Sequence, residues 1–381
     1  MLNAVLWYVA ISLTGPLVVL TLAPLVLTTG SWVVRAWDFP RLQLAALTSV
    51  PAVPLLVIIL RDAGAWFATA LLILLFVMAA SGVVQLLPFT RLWSREVEGL
   101  GEAARNEDSL RILVANIRYE SRQFEAVSDT ILEADPDLLL LIEIDETWHG
   151  ELHSLAQGYP HRIESIADEG LGLALWSRRP LGQGGIEHLI SERRPSIVAE
   201  VETQDGRTIR FVGLHPTPPG LRDSTGQDRR DSNVRDAELV LLARRIATDP
   251  NRNWIVAGDF NDVAWSHTTR LFKRLSGMLD PRVGRKLMNT FHAGRWYLRF
   301  PVDHLFVAPG TRIGRLDRVR LPGSDHFGLL ATIALEPRSE TRPADPDSDA
   351  DDAHEAAHAV ERGAEDAGAR GVKSGDPTRS I

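Results

Sequence analysis

The sequence predicts two structural parts in tandem: three membrane-spanning helices, then an α/β (α+β) sandwich of two sheets covered by helices. Three observations carry this. Residues 1–90 contain three long runs with no Asp, Glu, Lys, Arg or His. From residue 109, short apolar or β-branched stretches alternate with segments of helical spacing. After residue 336 the chain turns polar and acidic.

The apolar runs are residues 4–29, 43–60 and 63–88. A helix of about 20 such residues crosses a bilayer. The middle run is the shortest and carries Pro51 and Pro54, which makes it the weakest of the three spans. Arg61 and Asp62 are the only charges between the second and third runs, so a tight hairpin is expected there. A cleaved signal peptide would want a basic start, and residues 1–30 contain no Lys or Arg. A soluble core would show polar faces. The lipid bilayer is therefore the expected partner of residues 4–88, in a multi-pass arrangement. Arg35 and Arg41 in the first loop, with Arg91 and Arg95 after the third run, outnumber Arg61 in the second loop. By the positive-inside bias, everything after residue 90 lies on the cytoplasmic side.

Residues 91–108 read as a polar linker. Strands are expected at 110–117, 137–144, 172–177, 196–202, 208–215, 253–260, 302–307 and 327–335. Helices are expected at 121–134, 231–247 and 268–275, the first from the spacing of Phe124, Val127, Ile131 and Leu132. The segment 337–381, rich in Ala, Asp, Glu and Pro, buries too little to order itself and is expected to be a disordered acidic tail.

The net charge is −8, and about five of those units lie after Glu336. The middle of the chain is thus only mildly acidic, and no strongly basic nucleic-acid face is advertised. Arg229, Arg230 and Arg235 could form a smaller basic patch. With no cysteine, disulfides and thiolate metal sites are excluded. Trp265 and Trp296 could line a groove, but packing in the core or at the rim is the expected role of both.

Several expected strands begin or end on a polar residue that a buried strand would not want. LRILVAN ends at Asn116, DLLLLIE at Glu143, IRFVGLH at His215 and WIVAGD at Asp259, with Asn261 two residues on. PVDHLF opens on Asp303 and His304, and Asp325 and His326 immediately precede the last strand. Taken singly, Asp259-Phe260-Asn261 reads as an Asx-turn and His215 as a satisfied core histidine. Together, strand ends on one rim of a sandwich face the same pocket. Carboxylates, amides and imidazoles there are the inventory of a hard-cation site, Mg²⁺ or Mn²⁺ rather than Zn²⁺. Asp262 reads as a turn residue and His304 as a strand or rim residue; neither Asp262, His304 nor His267 has an assigned part in the site.

The segments ANIR (115–118), LLLIEID (139–145), GLALWSRRP (172–180), GLHPTPP (213–219), AGDFND (257–262), VDHLFV (302–307) and GSDHFG (323–328) resemble, in order and spacing, the endonuclease/exonuclease/phosphatase superfamily. With three apolar spans in front, the chain is similar to a bacterial membrane-attached branch, which places it in the bacterial inner membrane. The resemblance implies a DNase I-like four-layered α/β sandwich over residues 109–336 that cleaves phosphate esters with a divalent cation. It implies Glu143 as principal metal ligand with Asn116 as companion, and Asp325 as a further metal-site acid. Asp259 and Asn261 match the pair that orients the water and the phosphate. His326, oriented by Asp303, matches the imidazole on the scissile phosphate. His215 matches a position that is His in some branches and Tyr in others; the resemblance does not say which histidine is acid and which base. Where it is His, a Glu often pairs with it, and Glu192 and Glu200 are the candidates.

The expected activity is therefore hydrolysis of a phosphate ester by water attacking phosphorus in line. The fold serves nucleases, sphingomyelinases, inositol-phosphate phosphatases and nucleotide deadenylases, so the substrate, nucleic acid or lipid head group, stays open. No obligate protein partner is implied. The rival reading is a catalytically inactive membrane-tethered scaffold on the same fold, which would be expected to have lost some of these residues. A transporter is a poorer reading, since no Asp, Glu, Lys, Arg or His lies inside a span.

Overall fold

In the computed structural model, residues 1–27, 30–62, 64–100, 109–218, 220, 232–249, 253–335 and 349–369 are described. The chain divides into two units, Met1–Trp93 and Ser94–Ile381.

The first unit contains α1 (Leu2–Val26), α2 (Trp32–Arg35), α3 (Arg41–Leu47), α4 (Ser49–Arg61) and α5 (Trp66–Leu86). Three helical stretches, Leu2–Val26, Arg41–Arg61 and Trp66–Phe89, are long and apolar enough to cross a membrane. Their outward faces keep large apolar side chains such as Tyr8, Val19, Leu60 and Phe76 exposed. The middle stretch breaks at Thr48. Pro51 has no N–H to offer the Leu47 carbonyl, and the Thr48 and Ser49 hydroxyls donate to the Ala45 and Ala46 carbonyls at 2.7 Å each. Arg35 and Arg41 both pair with Asp38, and Arg41 also donates to the Thr21 carbonyl at 2.9 Å. Two of the cations behind the expected orientation are thus already partnered by a carboxylate.

The second unit runs β1 (Leu110–Asn116), α6 (Phe124–Ala134), β2 (Leu138–Ile142), α7 (Glu146–Glu151), α8 (His153–Ala156), β3 (His161–Ser165), β4 (Leu173–Ser177), β5 (Leu181–Glu187), β6 (Ser196–Glu202), β7 (Thr208–Leu214), α9 (Asn233–Thr248), β8 (Trp254–Asp259), α10 (His267–Ser276), β9 (Asp303–Val307), β10 (Thr311–Arg320), β11 (Phe327–Leu335) and α11 (Ala350–Ala369). One sheet has the order β10-β11-β1-β2-β4-β3 and the other β5-β6-β7-β8-β9. Strand periodicity explains the layers. Leu138, Leu140 and Ile142 of β2 point between the sheets, where they meet Ile197, Phe211, Ile255 and Leu305. Leu139 and Leu141 point outward to Val127, Ile131 and Trp148 on α6 and α7. The outer face of the second sheet packs Val212, Val256 and Phe306 against α9, α10 and α11. The result is the expected four-layered sandwich.

Every expected strand is present. The three missed ones, β3, β5 and β10, are all edge strands. The fourth edge strand, β9, is buried throughout and legible, whereas β3, β5 and β10 are partly solvated along their length and carry no continuous apolar run to read.

Two expectations about the flanks are corrected. The linker 91–108 is not free of the sandwich throughout: Val97 is buried in the inter-sheet core, Glu96 accepts from Lys273 Nζ at 2.6 Å, and Leu100 N donates to the Ile313 carbonyl at 2.9 Å. Residues 101–108 lie outside the described residues. The tail 337–381 is not disordered throughout, since 350–369 forms α11. Its low hydrophobicity hid a narrow stripe of small residues. Ala356 and Ala359 pack on α9 and α10, and Gly363 approaches so closely that an added Cβ would meet the Asn233 carbonyl at 2.8 Å. Arg274 clamps Asp352 at 2.7 Å. Residues 336–348 and 370–381 lie outside the described residues.

Candidate active site

Sheet polarity gathers the polar strand ends on one rim. β1 pairs with β2, and β7 with β8, in parallel, so Asn116, Glu143, His215 and Asp259 sit at or just past their carboxyl ends. β9 and β11 run antiparallel to their neighbours, so Asp303 and His326 sit at or just before their amino ends on the same rim. A cavity of about 370 Å³ there is lined by Glu143, His215, Asp259, Asn261, Asp325 and His326, together with Arg118, Tyr119, Arg194 and Phe291. Asn116 and Asp303 stand behind it and are 1% exposed each.

Asn116 Nδ2 donates to Glu143 Oε1 at 3.0 Å and to Asp259 Oδ2 at 3.2 Å, tying the two sheets together. Tyr119 N donates to Glu143 Oε2 at 3.3 Å. Asp259 Oδ1 accepts from Asn261 N at 2.9 Å, and Asn261 Nδ2 donates to the Pro216 carbonyl at 3.1 Å. The Asx-turn reading of this pair is therefore geometrically true, and the turn is what aims Asn261 at the cavity. Glu143 and Asn261 both hold left-handed backbone, φ 67° and 52°, a conformation that costs non-glycine residues of order 1–3 kcal/mol. Gly258, φ 152°, is obligatory: a Cβ there would lie 1.9 Å from the Leu214 carbonyl oxygen.

Asp303 and Asp259 are direct cross-strand partners. Burial first, and then the charge of Asp303, push the Asp259 carboxyl up to about 7. His326 Nδ1 donates to Asp303 Oδ2 at 2.8 Å, leaving Nε2 3.6 Å from Asp259 Oδ2. Burial disfavours the charged ring, but Asp303 and Asp259 outweigh it and raise His326 to about 10. Ser324 Oγ links the two halves, donating to the Asn116 carbonyl at 2.7 Å and accepting from His326 N at 3.0 Å.

His215 has a different neighbour from the one expected. Arg194 Nη1 lies 3.3 Å from His215 Nδ1, while Glu200 pairs with Arg210 at 3.4 Å and Glu192 is exposed. A guanidinium only donates, so Nδ1 is the acceptor and the ring proton sits on Nε2, 3.8 Å from Asp259 Oδ2. Arg194 was not foreseen because it lies in a loop with no motif around it. Glu238 on α9 supports that loop from beneath, accepting from Ser191 N at 3.3 Å. Burial drives its carboxyl up to about 8, with Arg194 working against that.

Residues expected to stand outside the site hold it from behind. Asp262 accepts from Val263 N at 2.9 Å and from Ser266 Oγ at 2.7 Å, and pairs with Arg235 at 3.1 Å. Arg235 is buried and also donates to the Asn261 carbonyl at 2.7 Å, so it is no part of a surface patch; Arg229 and Arg230 lie outside the described residues. His304 is fully buried against Phe260 and Phe306. Burial and Arg282 drive it down to about 3, a neutral core histidine. Trp265 is buried as expected, but Trp296 is 79% exposed and packs in neither core nor rim.

The donor chemistry suits a hard divalent cation. Among the described residues, Asp259, Asp303 and His326 bring side-chain N and O atoms within 4.8 Å of one another, and with His326 protonated only the two carboxylates of that group are donors for a cation. Glu143, whose carboxyl burial raises and whose bond from Asn116 opposes that, feels the charge of Asp325 as well. Glu143, Asp259 and Asp325 line the pocket with Asp303 behind them, and Arg118, Arg193 and Arg194 line it as well; the clustered carboxylate oxygens are the donor type a hard divalent cation takes.

A family model for the Endonuclease/Exonuclease/phosphatase family matches residues 113–326. The chain belongs to the endonuclease/exonuclease/phosphatase family. Solved structures similar to it include an endonuclease/exonuclease/phosphatase from Beutenbergia cavernae (17% identity, 62% of this chain and 74% of that one, TM-score 0.49). D. rerio TDP2 humanized by 14 mutations matches at 16% identity over 59% of this chain and 98% of that one, TM-score 0.46. The human Nocturnin catalytic domain with bound sulfate matches at 18% identity over 63% and 97%, TM-score 0.46. No curated protein matches the chain. Family membership carries the four-layered fold and makes a phosphoric-ester site the expectation for this rim.

Proposed function

We propose that the chain is a membrane-anchored, divalent-metal-dependent hydrolase of phosphate esters, of phosphodiesterase or nuclease type. The observation that carries this is the assembly of Glu143, Asn116, Asp259, Asn261, His215, Asp325 and the His326–Asp303 pair around one cavity. Each position that an inactive scaffold could have lost holds a competent side chain.

Glu143, Asn116 and Asp325 would hold Mg²⁺ or Mn²⁺, which when bound supplies Lewis-acid neutralisation of phosphate charge. The protein's own groups divide the remaining work. Asp259, poised near neutrality, accepts the proton of a water that Asn261 helps orient. His326, charged and steadied by Asp303, donates Nε2–H to a phosphate oxygen as charge develops. His215, held neutral with its proton on Nε2, donates to the phosphate or to the leaving oxygen. Arg194 therefore separates the two histidines by role, with the imidazolium at 326 and the neutral donor at 215.

The test is hydrolysis of a chromogenic phosphodiester by the full chain in detergent with Mg²⁺ or Mn²⁺. Glu143→Ala and His326→Ala are each expected to abolish it, as is chelation of the cation. Undiminished turnover in either variant overturns the proposal.

A further inference from the structure

Residues 291–300, FHAGRWYLRF, form a loop that the hydrolase reading does not use. Paired backbone bonds between Phe291 and Phe300 close it. Within it, His292 N donates to the Leu298 carbonyl and Leu298 N to the Arg295 carbonyl, both at 3.0 Å. It is braced on the site: Ala293 N donates to the Asp325 carbonyl at 2.6 Å, and the Phe291 ring lies 5.0 Å from that of His326. This ordered tip nevertheless holds three consecutive large apolar side chains in solvent, Trp296 79%, Tyr297 54% and Leu298 36% exposed. A contiguous exposed apolar tip of this kind marks a contact surface.

A second feature adjoins it. The guanidiniums of Arg299, Arg318 and Arg320 surround the Phe327 ring at 5.1, 4.8 and 5.4 Å. Their hydrogen bonds go to backbone carbonyls, of Ala293, Asn289 and Ser324 respectively. Among the described residues no carboxylate pairs with any of the three. Burial and the charge of Arg299 hold Arg318 below the ordinary arginine range, as expected for crowded cations without a counter-charge. Arg299 belongs to both features.

Trp and Tyr favour the boundary between water and hydrocarbon, and neighbouring Arg favours anionic head groups. Aromatic and basic side chains together also suit a single-stranded nucleic acid. The lipid is favoured here because the same chain carries three helices long and apolar enough to cross a membrane, and because Leu298 adds an aliphatic side chain that suits hydrocarbon and offers a base nothing to stack on. We propose that the 295–298 tip and the Arg299–Arg318–Arg320 cluster form a face that docks on an anionic phospholipid surface beside the cavity. The aromatic tip enters the interface and the arginines hold the head-group phosphates.

The chain has no cysteine, so a single environment-sensitive fluorophore can be placed by Tyr297→Cys, with Glu202→Cys as an exposed control. Both full-length proteins are reconstituted into vesicles of phosphatidylcholine alone or with phosphatidylglycerol, each with a spin-labelled lipid as quencher. The label at 297, not at 202, is expected to shift to the blue and be quenched, more so with phosphatidylglycerol. Arg318→Ala and Arg320→Ala are each expected to lower the inserted-to-free ratio roughly fivefold, since a basic residue near an anionic leaflet is worth about 1 kcal/mol. Quenching at 297 no greater than at 202 overturns the proposal, as does a response only to an added single-stranded oligonucleotide. The readout needs no turnover, so insertion without hydrolysis supports this face and counts against the hydrolase reading alone.

Discussion

Asp303→Asn isolates one interaction in the site. Asp303 is 1% exposed, receives Nδ1–H of His326 at 2.8 Å and faces Asp259 across the β8–β9 ladder. The amide keeps the shape and removes the charge. In the wild type Asp303 and Asp259 outweigh burial and hold His326 at about 10, well above the ordinary imidazole range. Losing a carboxylate at this distance is expected to lower it by roughly 1–3 pH units. Asp259, relieved of a like charge, falls from about 7 toward the ordinary carboxylate range. Imidazole NMR titration of the full chain in detergent, with the divalent cation chelated, reads the first shift directly. Turnover with cation restored is expected to drop by roughly 10²–10⁴, because an amide can accept from Nδ1–H or donate to Nδ1 and so no longer fixes the ring. If the variant keeps wild-type turnover and His326 still titrates near 10, the role given to Asp303 is wrong.

The same values set the pH dependence of stability. His326 is raised in the folded state, so its contribution is fully present below its unfolded value and is lost as pH rises through about 10. Asp259 is also raised, so the folded state binds the extra proton and loses stability as pH climbs from the ordinary carboxylate range to about 7. Both effects have the same sign, and denaturant midpoints measured between pH 5 and pH 10 on the cation-free protein are expected to fall; Asp303→Asn should flatten the trend. Arg194→Ala frees the tautomer of His215 and is expected to lower kcat roughly 10–10²-fold, with Arg194→Lys, which retains an N–H donor, recovering part of it; an alanine variant with unchanged kcat would refute the tautomer assignment. Gly258→Ala places a Cβ 1.9 Å from the Leu214 carbonyl oxygen and is expected to cost about 3 kcal/mol or more, seen as a lowered thermal midpoint.

The sequence by itself determined the inward-facing strands, because a strand buried on both faces must be continuously apolar: LLLLI in β2 and WIVAG in β8 leave no other reading. It also pointed to the residues at the rim, through their number and order rather than singly, since one polar strand end alone reads as a turn or a core residue, as His304 proves to be. Asn116, Glu143, His215, Asp259, Asn261, Asp303, Asp325 and His326 were all legible in this way. Edge strands β3, β5 and β10 were not, because solvent on one side erases the pattern. Nor was α11, whose docking depends on small residues and on partners 88 and 78 positions away, His267 with Glu355 and Arg274 with Asp352. Only the tertiary structure decided what surrounds each rim residue. It set Asp303 opposite Asp259 by register, put an arginine where a glutamate was expected beside His215, and left Trp296 in solvent next to the site. Proton positions and charge balance depend on such neighbours within a few ångströms. Those neighbours arrive from distant parts of the chain, so no local pattern records them.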